Sequence, residues 1–261
     1  MTSTSVRRHR ATGLVVLLAA LVATGVGYAA VTDSAQAAAP QASETQVQAG
    51  RQLFLEGCAT CHGLAAQGTA DGPGLIGVGA ASVDFQVTTG RMPLSAPAVQ
   101  APRKTPQYSA EQTANLAAYV ASLGAGPAIP TDSELATTDA NLAEGGELFR
   151  TNCAQCHNFA GKGGALSDGK YAPTLMNATP REMVEAMLTG PQNMPNFPNS
   201  TLPLEKKQAI VKYISDNLQN AAAPGGLALG SYGPVTDGVF IWTAGIGALL
   251  LAAVWIGAKV R

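Results

Sequence analysis

The sequence predicts an all-α protein of two small tandem domains framed by two apolar segments, and three observations carry that expectation. A five-residue motif, Cys58-Ala59-Thr60-Cys61-His62, returns as Cys153-Ala154-Gln155-Cys156-His157, and the residues around both copies repeat with it. Apolar side chains near each copy recur at helical spacing, with no β-branched strand runs beside them. Uncharged stretches long enough to enter a bilayer lie near both ends.

The motif carries the chemistry. Together the two copies use all four cysteines and two of the three histidines. Two thiols three positions apart on one helical turn can add to the two vinyl groups of a haem, and the adjacent imidazole then lies under the iron. The spacing therefore predicts two covalently bound haem c groups, on Cys58 and Cys61 and on Cys153 and Cys156, with His62 and His157 as proximal iron ligands. A zinc ribbon needs its cysteine pairs about 15–20 residues apart, and these lie most of a domain apart. A thioredoxin-like disulfide needs a strand-helix-strand setting, which neither motif has.

Composition bounds the rest. The 261 residues have a formal net charge of −1, and no basic cluster follows Arg7, Arg8 and Arg10, which argues against nucleic acid as a partner. The 29 glycines and 16 prolines suit compact, loop-rich units better than sheets. Each domain has only about eighty residues, too few for a large core, so a buried haem would serve as packing as well as cofactor.

In chain order, residues 1–37 combine the basic Arg7-Arg8-His9-Arg10 with an apolar run from Ala11 to Val31. The run is long enough for a signal-anchor, while Ala35-Gln36-Ala37 resembles the cleavage site of a signal peptide, and both readings stay open. Either way the positive flank stays inside and the domains beyond the apolar run are exported. Domain 1 spans 43–125. Ser43 and Gln46 form a capping box for a first helix that places Val47, Gly50 and Phe54 on one face. A glycine-rich loop and Thr89-Gly90-Arg91-Met92-Pro93 follow the motif, and Ser109 with Gln112 caps a closing helix carrying Leu116, Tyr119, Val120 and Leu123. Residues 126–141 lack helical periodicity and read as a linker.

Domain 2 spans 142–220 and repeats the pattern: Gly145 matches Gly50, Phe149 matches Phe54, Pro173 matches Pro73, Met194 matches Met92, and Ile210, Tyr213 and Ile214 match Leu116, Tyr119 and Val120. Residues 221–237 read as a spacer. Residues 238–258 read as a transmembrane helix, with Trp242 and Trp255 near its ends and Lys259 and Arg261 beyond it, so the tail is cytoplasmic and both haem domains lie outside.

Each repeat resembles a class I cytochrome c, with its Gly/aromatic helix, Cys-x-x-Cys-His, Pro-x-Leu, Met-Pro loop and closing Tyr helix. The resemblance implies that Gly50 and Phe54 cross Leu116 and Tyr119, and that the carbonyls of Pro73 and Pro173 orient the proximal imidazoles. The second repeat departs in having Ala172 before its proline and Ile210 in place of leucine.

Methionines at helical spacing belong to cores more often than to iron, so Met183 and Met187 read as packing, and Met176 comes too early in its loop. Met92 and Met194 each follow Thr-Gly and precede a proline, and they are the expected distal ligands. Arg91, Arg103-Lys104 and Tyr108 either reach haem carboxylates or are ordinary solvated side chains.

The whole layout resembles the di-haem cytochrome c subunits of actinobacterial menaquinol:cytochrome c reductases, the cytochrome bcc complexes. That resemblance implies a plasma-membrane respiratory-chain translocase. In it a Rieske iron-sulfur subunit and a cytochrome b subunit lie upstream and subunit II of a cytochrome c oxidase downstream, and this subunit has no catalytic site of its own. The di-haem subunit of another oxidase or a periplasmic dehydrogenase, and less readily a di-haem peroxidase, remain alternatives.

Overall fold

The computed structural model describes residues 13–28, 42–220 and 234–259. The chain divides into two units, Met1–Ser43 and Glu44–Arg261. In the first, an apolar helix α1 (Gly13–Tyr28) is described. The cleavage motif Ala35-Gln36-Ala37 falls outside the described residues.

The second unit runs α2 (Glu44–Gly57), α3 (Ala59–His62), α4 (Ala80–Thr88) and α5 (Ala110–Ser122), then α6 (Asp132–Leu135), then α7 (Leu142–Asn152), α8 (Ala154–His157), α9 (Pro180–Thr189) and α10 (Leu204–Lys212). Elements α7 to α10 repeat α2 to α5 in order. In each repeat the first helix packs on the last, α2 on α5 and α7 on α10. Glycine makes the crossing possible. A Cβ on Gly50 would fall inside the Asn115 carbonyl, and one on Gly145 inside that of Ala209. One turn later the aromatic pairs Phe54–Tyr119 and Phe149–Tyr213 meet with ring centroids 5.2 and 5.5 Å apart. Phe54, Leu116 and Val120 centre the first core, and Phe149, Ile210 and Val184 the second. The crossing expected of Gly50 and Phe54 with Leu116 and Tyr119 is thus present, and present twice.

Helix starts follow local chemistry. The expected Ser109–Gln112 capping box opens α5, Asn141 caps α7, and Thr179 with Glu182 boxes α9, which has Pro180 in its first turn.

Three details differ from expectation. The stretch read as an unstructured linker contains α6, opened by a Thr131–Glu134 capping box and tied to α10 where Gln208 Nε2 donates to the carbonyls of Ser133 and Glu134. Four residues are too few for periodicity to reveal. An antiparallel bridge pairs Gly164–Ala165 with Tyr171–Ala172, although the composition suggested no extended structure. Near the C-terminus the helix begins before residue 238, with Pro234 at its start. Its α11 (Pro234–Phe240) passes through the wider turns of Ile241–Ile246 into α12 (Gly247–Lys259). Thr236–Lys259 is 24 residues long and contains an apolar stretch of mean hydropathy 2.2 with none of it buried, so by length and composition it is able to cross a membrane.

Candidate functional site

Each Cys-x-x-Cys-His motif forms a single helical turn at the end of its repeat's first helix. Cys58 N–H donates to Phe54 O at 2.8 Å and His62 N–H to Cys58 O at 3.0 Å. The second motif matches, with Cys153 to Phe149 O at 2.9 Å and His157 to Cys153 O at 2.9 Å. The turn puts both thiols and the imidazole on adjacent positions of one short element. All four cysteines are free rather than paired. Burial, then the neighbouring thiol, pushes Cys58 and Cys153 up to about 11, so both are neutral at physiological pH. A redox dithiol needs the opposite, a depressed pKa that exposes a thiolate.

The chain then loops back over each histidine. Gly68 N–H donates to His62 O at 2.7 Å and Gly163 N–H to His157 O at 2.9 Å. The loops deliver Pro73 O to 2.7 Å from His62 Nδ1 and Pro173 O to 2.9 Å from His157 Nδ1. A carbonyl only accepts, so Nδ1 carries the proton in both rings and Nε2 is left as the basic, metal-ready nitrogen. Both rings are nearly buried. For His157 burial lowers the pKa and favours the neutral imidazole, while the Pro173 bond opposes it.

Met92 and Met194 are half-buried in equivalent places. Each follows a glycine in the left-handed region, Gly90 at φ 66° and Gly190 at φ 60°, which reverses the chain after α4 and after α9. Met183 and Met187 lie in the second core, 5% and 4% exposed, where packing was expected of them.

The side chains left between haem carboxylates and solvent divide. Arg91 is buried, not solvated. Its guanidinium lies 4.9 Å over the Phe85 ring, and its Nη1 has no hydrogen-bond partner among the described residues. Arg103 is held instead by Glu182 of the second repeat, Nη1 to Oε2 at 2.9 Å and Nη2 to Oε1 at 2.6 Å. Lys104 Nζ donates to Pro93 O at 2.9 Å within its own loop. The half-buried Tyr108 sets its hydroxyl against Gly57.

These residues fit a haem c in each repeat. Two unpaired thiols on one turn beside the imidazole suit thioether formation, an Nδ1-protonated imidazole offers Nε2 to iron, and a buried guanidinium with an unused donor suits a carboxylate such as haem bears. Sequence reasoning missed Glu182, Glu185 and Asp84. Glu185 is fully buried on α9, beside Asp84 of α4. Comparing the repeats would have exposed it, since Phe85 holds the matching place in the first.

The chain is similar to known proteins over nearly its whole length. Residues 47–124 match the cytochrome c family, and residues 140–214 match a family described as cytochrome c oxidase, cbb3-type, subunit III. Proteins named cytochrome bc1 complex cytochrome c subunit align with it: that of Mycobacterium tuberculosis (strain ATCC 25618 / H37Rv) at 46% identity over 97% of this chain and 92% of the relative, and that of Corynebacterium diphtheriae at 45% over 97% and 95%. The protein of that name from Mycobacterium leprae is 43% identical over 95% of this chain and 87% of the relative.

Proposed function

We propose an electron-transfer role from one premise: the chain belongs to the family of cytochrome c subunits of the cytochrome bc1 complex. It therefore has two cytochrome c domains, which imply covalently bound haem c, within a subunit of a redox complex. On that basis we assign one haem to each domain, attached at Cys58 and Cys61 and at Cys153 and Cys156. His62 with Met92, and His157 with Met194, would hold the iron of each.

When bound, each haem supplies a one-electron ferric–ferrous couple. The chain's own residues do the rest. The Pro73 and Pro173 carbonyls hold Nδ1 as a donor, which fixes each imidazole and raises the basicity of Nε2. The single observation that carries the proposal is this same histidine–proline bond built independently in both repeats. Beyond the two motifs the sequence has no further cysteine, and its one other histidine, His9, belongs to the N-terminal basic flank, so the chain lacks thiol and imidazole groups for a second chemistry.

Electrons would enter from a Rieske iron-sulfur subunit associated with cytochrome b and leave to subunit II of a cytochrome c oxidase. Both haem domains would lie on the extracytoplasmic side of the plasma membrane, with the Lys259–Arg261 tail inside. Tethering would keep donor and acceptor at high effective concentration.

The test is to extract the C-terminally tagged chain from native membranes in mild detergent, then record its reduced-minus-oxidised spectrum, haem-to-protein ratio and quinol-driven oxygen uptake. Two c-type haems accompanied by b- and a-type signals and quinol-dependent uptake are expected. A c-type signal alone, under conditions that preserve complexes, would sink the proposed partners.

A further inference from the structure

The two repeats differ most in one loop. The stretch from Met92 to the Ser109 cap is nearly twice that from Met194 to Pro203. Much of the loop is exposed, but Gln100, Ala101 and Arg103 bond to the second repeat. Gln100 clasps the backbone of one residue on both sides: its Nε2 donates to Tyr171 O at 2.7 Å and its Oε1 accepts from Tyr171 N–H at 2.9 Å. The next residue is clasped in return, since Gln192 Oε1 accepts from Ala101 N–H and Gln192 Nε2 donates to Ala101 O, both at 3.2 Å. Gln192 does so from the left-handed region, φ 58°, which residues other than glycine seldom occupy. Ala101 is buried beneath it. Arg103 completes the set with its two-pronged bond to Glu182. Below the loop, α4 packs directly on α9, the same helix of either repeat.

The loop is also bound to its own domain close to Met92. Met92 N–H donates to Gln86 O at 2.9 Å, Lys104 N–H to Thr89 O at 3.2 Å, and Lys104 Nζ to Pro93 O. Two reciprocal amide clasps and a forked ion pair are directional. Each works in one relative orientation of the domains and fails if they turn against each other.

We infer that the Met92–Ser109 loop is a docking element that locks the two redox domains into one fixed pair, with Gln100, Gln192, Arg103 and Glu182 as positioning residues for electron transfer between them. The inference rests on both domains carrying haem, as proposed above. A locked pair sets one separation between the two redox centres, so the step between them does not wait on domain motion. Movement of the complex's other subunits is then met by the two domains as a unit.

The full-length holoprotein in mild detergent tests this by hydrogen exchange at two amides on opposite sides of the interface, Ala101 and Tyr171. Both are expected to be protected and to open together. Arg103→Ala touches neither amide, and Glu182→Gln keeps the capping box that starts α9 while removing its charge. Each should speed exchange at both amides by a common factor of about ten and slow electron equilibration between the two haems severalfold, with haem content unchanged. Glu182→Asp should restore part of the loss. Unprotected amides, or two amides that respond separately, in a protein bearing both haems would overturn the docking inference alone. Protected amides in a protein bearing a single haem would overturn the two-haem reading and the relay with it.

Discussion

Single residues decide what each centre can do. His62 and His157 are fixed by one carbonyl apiece, so their orientation is a backbone property of the Pro73 and Pro173 loops. Met92 is the second residue proposed to hold the first domain's iron, and replacing Met92 by alanine tests it. Loss of the thioether should lower that haem's potential by on the order of 100 mV and let carbon monoxide bind the reduced protein, as read by redox titration and absorption spectra. Met183→Ala is the matching control. It should leave the spectrum alone and destabilise the second domain by about 2–5 kcal/mol through a cavity. No change in Met92→Ala would exclude Met92, and a changed spectrum in Met183→Ala would count against Met194 in the second domain. Glu185 makes a different prediction. Burial first, then the nearby Asp84 charge, pushes its carboxyl up to about 9, with Glu182 adding to the rise and Arg181 opposing it. An unfolded chain releases this proton near the ordinary value of about 4.3, while the folded chain keeps it to about 9. The unfolded state therefore holds fewer protons in that window, and stability falls as pH rises through it, levelling above about 9. Glu185→Gln keeps the shape and the neutrality. It should flatten that decline and raise stability at pH 8 by about 1–3 kcal/mol, measured by denaturant unfolding across pH. A variant as pH-sensitive as the parent would show the side chain already ionised.

At the scale of elements, the two helix crossings explain why so much of the fold was legible. Gly50 and Gly145, each followed four positions on by phenylalanine, mark the places where backbones touch, and an alternation of small and aromatic residues is visible in sequence. Gly145→Ala would drive a methyl into the Ala209 carbonyl and part α7 from α10, at a cost of about 1–3 kcal/mol or more. Thermal unfolding should show a lowered transition in the second domain, and an unchanged one would mean the crossing is looser than its geometry. Capping boxes were equally readable at Ser109, because two side chains three positions apart make the signal. The box at Thr131 carries the same signal, but α6 is too short to add periodicity to it. What sequence could not supply was long-range. Lys207 is fully buried, and its ammonium is held by Asn199 Oδ1 at 2.8 Å and by the Leu202 carbonyl, pinning the loop after Met194 to α10. Nothing in the sequence distinguishes this lysine from the exposed Lys206 beside it. Arg103 likewise finds its partner 79 positions away, and no local pattern announces such a bond.

For the whole molecule, the chain spends its length on placement rather than on chemistry. Two domains hold the redox groups, a loop joins them, and an apolar helix at the C-terminus, Thr236–Lys259, is long enough to hold the assembly at a bilayer. The repeats and the apolar ends were evident from the sequence because both are compositional. The docking of one repeat on the other was not, since it depends on which loop side chains meet. If placement is the function, removing the tethers should harm delivery and spare the centres. A chain limited to residues 42–220, exported by a cleavable signal, should keep its c-type spectrum and its potentials. Its reduction by quinol in membranes lacking the native subunit should fall by about a thousandfold at micromolar concentration, because a tether of this kind supplies an effective concentration near millimolar. Raising the concentration of the free domains should restore the rate in proportion. Undiminished reduction at micromolar concentration would mean that docking affinity, and not tethering, brings the domains to their donor.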